Sequence, residues 1–400
     1  MRVCYINPTN NIRRPIAELA TILAQQGDQV SIMYPQSKEC PTKNWVANDT
    51  VEKQQIGKKP VASWYFAPLR YSFQNPIKLW KETRSMFNDN DIIHIWEYYY
   101  PISVFPLLYG LCTGQRKKII LTTDGFVGYS YKPREPRWLV PGFKLYTILV
   151  ARWLFKIPRT MTTYGNAMLP FAKQAGVPPN KITVLPTGIH LDKFNNINSE
   201  KVDKIKEEFK IGSEKIILYV GMLTERKGID KVIEISTRLL NEGHNIKTIL
   251  VGDAHGENVF RKMVPEKYLE KIIFAGGRKE IPEFMKIATL LLLPSEGEGL
   301  PGVVMEAMAA GLPVVATEEG CTPDLIDERS GGFLVNNGNY HSPILKMITD
   351  QKLLQQMQQK GKEKIKEFSW KTVAQRYTNL YELTGDSKNN GANEKCQPKN

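Results

Sequence analysis

Short apolar runs of strand length alternate with stretches of helical length along almost the whole chain, and the series occurs twice. The first half reads RVCYI, a helical 15–26, QVSIMY, a longer irregular region, DIIHIW, a helical 102–113, KIILTT, a helical 142–155, RTMTTY and KITVLP. The second half reads KIILYVG, a helical 228–241, IKTILVG, IIFAG, LLLL, PVVAT and GFLV. This alternation implies parallel sheets with helices on both faces. The expected fold class is therefore α/β, with two doubly wound, Rossmann-like domains facing a cleft. The expected boundaries are 1–194 for the first domain, a charged linker followed by a short helix at 195–212, and 213–369 for the second domain. A last helix at 370–384 carries Trp370, Val373, Tyr377, Leu380 and Tyr381 at helical spacing. The polar 385–400 is expected to be disordered. In doubly wound sheets ligands bind outside the carboxyl ends of the strands, so candidate chemistry is sought there.

One such end is PSEGEGLPGVVMEAMAAGLPVVAT, residues 294–317, which follows the run ATLLLL. Strand, glycine-rich loop, a helix ended by Gly311 and a second strand follow in turn. Val303, Val304, Met305, Ala307, Met308, Ala309 and Ala310 leave this helix without a polar face, so Glu306 is its lone charge. Burying a carboxylate without partners is costly, which favours a ligand role over a chance surface position. The start of the helix, in GLPGVV, offers unpaired amides and a positive dipole suited to phosphate. At a neighbouring strand end VGMLTERKGID sets Arg226 and Lys227 beside Gly228. Two phosphate-directed elements side by side suggest a diphosphate, with Glu306 accepting hydrogen bonds from sugar hydroxyls.

The charge balance locates a second surface. Of a net +13, residues 1–200 hold 25 Lys+Arg against 13 Asp+Glu, or +12, and residues 201–400 hold 29 against 28, or +1. Acidic partners for the first half are nucleic acid, anionic lipid headgroups or a phosphorylated acceptor. With no zinc-finger spacing, no ribonucleoprotein-type aromatic signature and no Lys/Arg run longer than three, nucleic acid is the weakest of these. The stretches 61–81 and 136–159 combine bases with aromatics. Trp64, Tyr65, Phe66, Leu69, Tyr71, Phe73 and Trp80 with Arg70, Lys78 and Lys81 suit an anionic membrane surface, unless the aromatics are core. No run approaches the ~18 apolar residues of a membrane span, and MRVCYI starts a strand with no signal-peptide pattern. A cytoplasmic location, peripheral on the inner face of the membrane, is expected. Cys4, Cys40, Cys112, Cys321 and Cys396 have no paired or metal-type spacing. Asp89 and Asp91 precede their strand, at the end away from the cleft, so no metal site is expected.

Over about residues 1–384 the chain resembles the family-four retaining glycosyltransferases of the GT-B fold. The residues that carry the likeness are VLPTGIHLDKF at 184–194, VGMLTERKGID at 220–230, VGD at 251–253 and, above all, the 294–317 stretch. The resemblance implies a UDP- or GDP-sugar donor held by the second domain, an acceptor held by the first, no cofactor, and a last helix that crosses back to the first domain. It implies that Glu306 binds the donor ribose, that Glu298 binds the sugar or positions the phosphate, and that Lys227 neutralises the diphosphate. The donor-binding candidates are Arg226, Lys227, Glu298, Gly299, Leu300, Pro301, Gly302, Val303 and Glu306. The catalytic candidates are Lys227, Glu298 and Asp124, and the acceptor-binding candidates are Asn11, Arg13, Arg14 and Glu97. Departures from the family are Met222 in place of an arginine, Trp96 in place of a cleft histidine with His94 and Glu97 nearby, and Asp124 in place of another histidine. The loop NPTNNIRRP also lacks the usual paired glycines. The expected function is transfer of a hexose to a hydroxyl of a glycan or lipid-linked acceptor. A sugar-nucleotide epimerase and a non-catalytic sugar-nucleotide-binding subunit are the alternatives.

Overall fold

A computed structural model describes residues 1–37, 56–66, 71–130, 139–253 and 257–385. It contains two sheets. The first has eight strands in the order β4-β3-β2-β1-β5-β6-β7-β8: β1 Arg2–Ile6, β2 Gln29–Gln36, β3 Gly57–Phe66, β4 Tyr71–Gln74, β5 Ile92–Trp96, β6 Ile119–Thr123, β7 Thr160–Thr163 and β8 Ile182–Val184. The second has six, in the order β11-β10-β9-β12-β13-β14: β9 Lys215–Val220, β10 Ile246–Val251, β11 Ile272–Gly276, β12 Leu290–Leu293, β13 Val314–Thr317 and β14 Gly332–Val335. All neighbours pair in parallel except β3 and β4. Strands β5, β6 and β10 are buried along their whole length, as helices on both faces of a sheet require.

Strand order reverses at β1/β5 in the first sheet and at β9/β12 in the second. Loops leaving adjacent strands in opposite directions open a crevice at such a point. These four strand ends carry the loop before Arg13, then Glu97, then the turn with Arg226 and Lys227, and finally the 294–301 loop.

Three findings differ from the sequence expectation. The irregular region between QVSIMY and DIIHIW contains an antiparallel β3–β4 hairpin and the helix Pro76–Asp89. Asn75 caps this helix by accepting from the Ile77 and Lys78 amides, both at 3.1 Å. Leu79, Thr83, Met86 and Phe87 form its buried stripe. The helical 142–155 is interrupted, running Leu139–Tyr146, a π turn over Thr147–Ala151, and Arg152–Leu154. The short helix expected in the charged 195–212 is present from Ser199 on, but it is part of the second domain and not of a linker. Helix Ser199–Glu208 packs on Ile281–Ile287, with Ile205 and Phe209 inside the second core. The buried Lys247 ammonium donates to the Phe209 and Lys210 carbonyls at 2.8 and 2.7 Å, satisfying the end of that helix.

The final helix Trp370–Gly385 packs against helix Arg14–Gln25 and β5. Trp370, Val373, Tyr377 and Tyr381 are buried in one cluster with Val3, Tyr5, Ile16 and Leu23 of the first sheet's layer. His94 lies in this core: its ring nitrogens bond the Tyr381 and Thr122 hydroxyls at 2.6 Å each. Burial holds its pKa well below the usual imidazole value, so it is a neutral packing group turned away from the cleft.

On the opposite layer of the first sheet, Ile77 and Trp80 are exposed, as are Leu145, Ile148, Leu149, Val150 and Trp153, while Trp64 and Phe73 are exposed on the β3–β4 hairpin. Helix Pro101–Cys112 touches helix Pro76–Asp89, β4 and the segment Arg152–Leu154, so both exposed groups flank it. Leu69 and Arg70, and the side chain of Tyr71, lie outside the described residues. Among the described residues no helix is long and apolar enough to cross a membrane.

Candidate active site

The crevice is bounded on the first-domain side by the loop after β1. Asn7 shapes it: its Oδ1 accepts the Arg13 amide at 3.0 Å and its side-chain amide donates to the Asn11 carbonyl at 3.0 Å. This turn aims Arg13 at the end of β5. There its guanidinium donates to Glu97 Oε1 at 2.7 Å and to Asp124 Oδ2 at 3.3 Å. Burial opposes the Arg13 charge, but Asp124 and Glu97 outweigh it and keep the guanidinium protonated. Glu97 is fully buried and left-handed, with φ 61°, a conformation disfavoured for a side chain with a Cβ. It also accepts from Thr123 Oγ1 at 2.7 Å. Burial first, and Asp124 second, push its pKa up to about 8 against the pull of Arg13.

The second-domain side is built from two glycine-dependent turns. Gly228 has φ 72°, and a Cβ there would lie 2.4 Å from the Pro294 carbonyl oxygen. This close approach seats Lys227 against the β12 loop, where its ammonium pairs with Glu298. Arg226 braces the same loop by donating to the Glu296 and Gly297 carbonyls at 3.0 and 3.2 Å. The second turn is at Gly320, with φ 58°, where a Cβ would meet the Glu298 carbonyl oxygen at 1.8 Å. Next to it the Cys321 amide donates to the Gly299 carbonyl at 2.8 Å, and Glu319 accepts the Gly297 amide at 2.9 Å. The same segment reaches the first domain: Asp324 accepts the Asn166 and Ala167 amides at 2.7 and 3.0 Å, and Cys321 is buried in the first domain's core.

Helix Gly302–Ala310 enters the crevice with Pro301 as its N-cap and no side-chain cap. Its first amides therefore have no intrahelical acceptor. Glu306 turns toward the other domain and accepts from Arg14 Nη1 at 3.2 Å. The crevice contains two adjoining cavities. One, of about 360 Å³, is lined by residues that include Arg14, Tyr164, Thr187, Gly299, Gly302 and Trp370. The other, of about 190 Å³, is lined in part by Tyr99, Tyr100, Ser130, Met168, Gly297 and Glu298. Arg13, Asp124 and Gly299 border both.

Most of the sequence candidates are thus brought together: Lys227, Glu298, Gly299, Leu300, Gly302, Glu306, Arg13, Arg14, Glu97 and Asp124. Pro301 and Val303 frame the helix start, and Leu300 packs on both cores. Asn11 is exposed and its carbonyl is folded into its own loop, so it is not brought to either cavity. Arg14, expected with the acceptor group, lies instead against Glu306 of the donor group. Arg226 serves as a loop brace, and Met222 is exposed. Trp96 is buried, its indole N–H donating to Tyr164 OH at 3.0 Å. Tyr99, Tyr100, Tyr164 and Met168 escaped the sequence reading. The only available signal was the aromatic run YYY at the end of β5. Asp91, considered for a metal, is engaged by Arg2 at 2.7 Å. Among the described residues there is no cluster of three or more potential metal ligands.

A two-domain α/β protein with a phosphate-directed helix start in its crevice is the architecture of many group-transfer enzymes that use nucleotides. The model of glycosyl transferases group 1 matches residues 201–364, and that of glycosyltransferase family 4 matches residues 13–193. Between them they account for nearly all of both domains, and the chain belongs to glycosyltransferase family 4, with the GT-B fold. Residues over a 193-residue span, 46% of this chain and 50% of the relative, are 28% identical to N-acetyl-alpha-D-glucosaminyl L-malate synthase of Bacillus anthracis. A 187-residue span, 43% of this chain and 44% of the relative, is 31% identical to the putative colanic acid biosynthesis glycosyltransferase WcaL of Salmonella typhimurium. The chain thus matches about half the length of these relatives. The fold is that of a glycosyltransferase from Rickettsia africae, at TM-score 0.76 and 19% identity over 96% of this chain and 98% of that one. It is also that of Anabaena HepE in complex with UDP and glucose, at TM-score 0.71 and 16% identity over 96% and 100%.

Proposed function

We propose that this chain transfers a hexose from a nucleotide-diphosphate sugar, with UDP or GDP as the leaving group, to a hydroxyl of a glycan or lipid-linked acceptor with retention of configuration. The observation that carries the reading is Glu306: a carboxylate on an otherwise apolar helix, facing the interdomain crevice beside the uncapped start of that helix. Ribose hydroxyls would donate to it, while the helix start and Lys227 would receive the diphosphate. The C1–O bond to phosphate breaks through an oxocarbenium-like state. The acceptor oxygen bonds to C1 from the same face, and its proton passes to the departing phosphate oxygen. Asp124, at the border of both cavities, would orient the hydroxyl of the donor sugar or of the acceptor. The complex of HepE with UDP and glucose supports UDP, and the relative named for colanic acid supports a polysaccharide acceptor.

A thermal-shift and calorimetric comparison of UDP, GDP and their sugars tests the donor. A nucleotide at a hundred-fold excess over its Kd stabilises the protein by ~2.7 kcal/mol. Glu306→Ala is expected to abolish that shift while its melting stays cooperative, and a wild-type shift in the variant rejects the ribose assignment. Inversion at C2 of the nucleotide sugar without acceptor would instead mark an epimerase. Donor binding without turnover over a broad acceptor panel would mark a binding subunit.

The exposed apolar residues beside Lys78, Lys81, Lys144 and Arg152 on the first domain support peripheral docking on an anionic, cytoplasmic membrane face, where a lipid-linked acceptor would be presented.

A further inference from the structure

The cations at the crevice are not equivalent. Arg13 is locked between Glu97 and Asp124, Arg226 is spent on two carbonyls, and Lys227 is paired with Glu298. Arg14 differs from them in both position and exposure. It is the first residue of helix Arg14–Gln25, and its side chain crosses from the first domain to Glu306 of the second at 3.2 Å. Its own side chain is 43% exposed and that of Glu306 only 20%. The opposite edge of its guanidinium lies 3.9 Å from Glu18, which in turn bonds His190 at 2.8 Å. The stem of Arg14 is thus anchored while its tip stays accessible. It also borders the same cavity as Gly299, Leu300 and Gly302, where the helix start presents its amides.

We infer that Arg14 is a ligand of the donor's diphosphate, and that its ion pair with Glu306 and its contact with phosphate are mutually exclusive. The inference rests on the nucleotide-sugar reading above. A ribose that donates two hydroxyls to Glu306 competes with the guanidinium for the same oxygens. The phosphates, a few ångströms along the donor, supply a doubly charged acceptor that a guanidinium engages with two parallel bonds. Arg14 comes from the opposite domain and, unlike Arg13, already reaches across to the donor side, so its transfer from carboxylate to phosphate draws the first domain onto the donor. Donor binding and closure of the crevice then become one event, and the acceptor-side residues Arg13, Glu97 and Asp124 arrive with it.

The exchange gives binding changes of opposite sign. Removing Arg14 frees Glu306 for ribose but deprives the diphosphate of a cation. Calorimetric titration of wild type, Arg14→Ala and Arg14→Lys with a nucleoside and its diphosphate, uridine with UDP or guanosine with GDP, tests this. In Arg14→Ala the nucleoside is expected to bind about two- to five-fold tighter, the scale of a partly exposed ion pair. The diphosphate is expected to bind about ten-fold weaker or worse, the scale of a charge-assisted hydrogen bond. Arg14→Lys should recover part of the diphosphate affinity. If both ligands weaken together in Arg14→Ala, Arg14 is a structural brace and the exchange is wrong. An unchanged diphosphate affinity also overturns it. Failure of the wild type to bind either nucleoside diphosphate overturns the donor reading itself, and this inference with it.

Discussion

Glu97 combines three unfavourable features: a left-handed backbone, complete burial and a neighbouring carboxylate. Residues held this way persist only where surrounding contacts over-determine them, and they concentrate at working sites. Burial and Asp124 raise its pKa from the 4.5 of an unfolded chain to about 8. The sign of the pH effect follows from linkage. The stability tied to this group is complete below about pH 4.5, declines as the unfolded chain ionises, and is lost once pH passes about 8. Glu97→Gln, whose carbonyl oxygen can still accept from Arg13 while its side-chain amide donates to Thr123 Oγ1, is therefore expected to flatten the fall in urea midpoint between about pH 5 and 8. A slope equal to that of wild type would place the proton elsewhere. Glu306, by contrast, was visible in the sequence as a lone charge on an apolar helix. Glu97 was picked out only by its place beside the family's cleft histidine, and nothing local marked its burial or raised pKa, because its environment is assembled from Arg13 and Asp124, distant in the chain.

At the level of elements, the turn 318–324 does two jobs. Gly320 lets it press on the Glu298 carbonyl, and Asp324 holds the amides of Asn166 and Ala167 in the other domain. Tyr164 and Met168, on either side of those amides, border the two cavities. Asp324→Ala is therefore expected to lower turnover several-fold through misaligned domains while nucleotide affinity changes less than about two-fold, since no donor-side group is touched. Equal losses in affinity and turnover would show that the contact serves only stability. The strands and helices around this turn were largely legible, because uniformly apolar runs separated by amphipathic stretches leave few other folds. The β3–β4 hairpin was not. Pro60, Lys58 and Lys59 lie in the part of β3 that β4 does not cover, and such a half-paired stretch lacks the continuous apolar signal of central strands. The short helix at Ser199–Glu208 was legible, but its attachment to the second domain was not, for a related reason. Its charged exposed face hides the few residues, Val202, Ile205 and Phe209, that attach it to the second core.

For the whole molecule, the surplus of positive charge in the first half and the exposed apolar residues on one layer of that domain belong to the same surface problem. On the membrane docking proposed above, apolar side chains would insert while lysines and arginines would draw the protein to anionic headgroups. Ile77→Ser with Leu149→Ser, both at exposed positions, is expected to weaken binding to phosphatidylglycerol vesicles several-fold without altering nucleotide affinity. Equal vesicle binding by the double variant and wild type would exclude this face as the contact. The helix Trp370–Gly385 is synthesised after both sheets yet covers β1 and β5 of the first. Until Trp370–Gly385 leaves the ribosome, the first sheet has a wall of Tyr5, Ile16 and His94 without its cover. The first sheet's layer is therefore completed only after the second sheet has been made, and a nascent chain stalled between the two would be a ready substrate for chaperones.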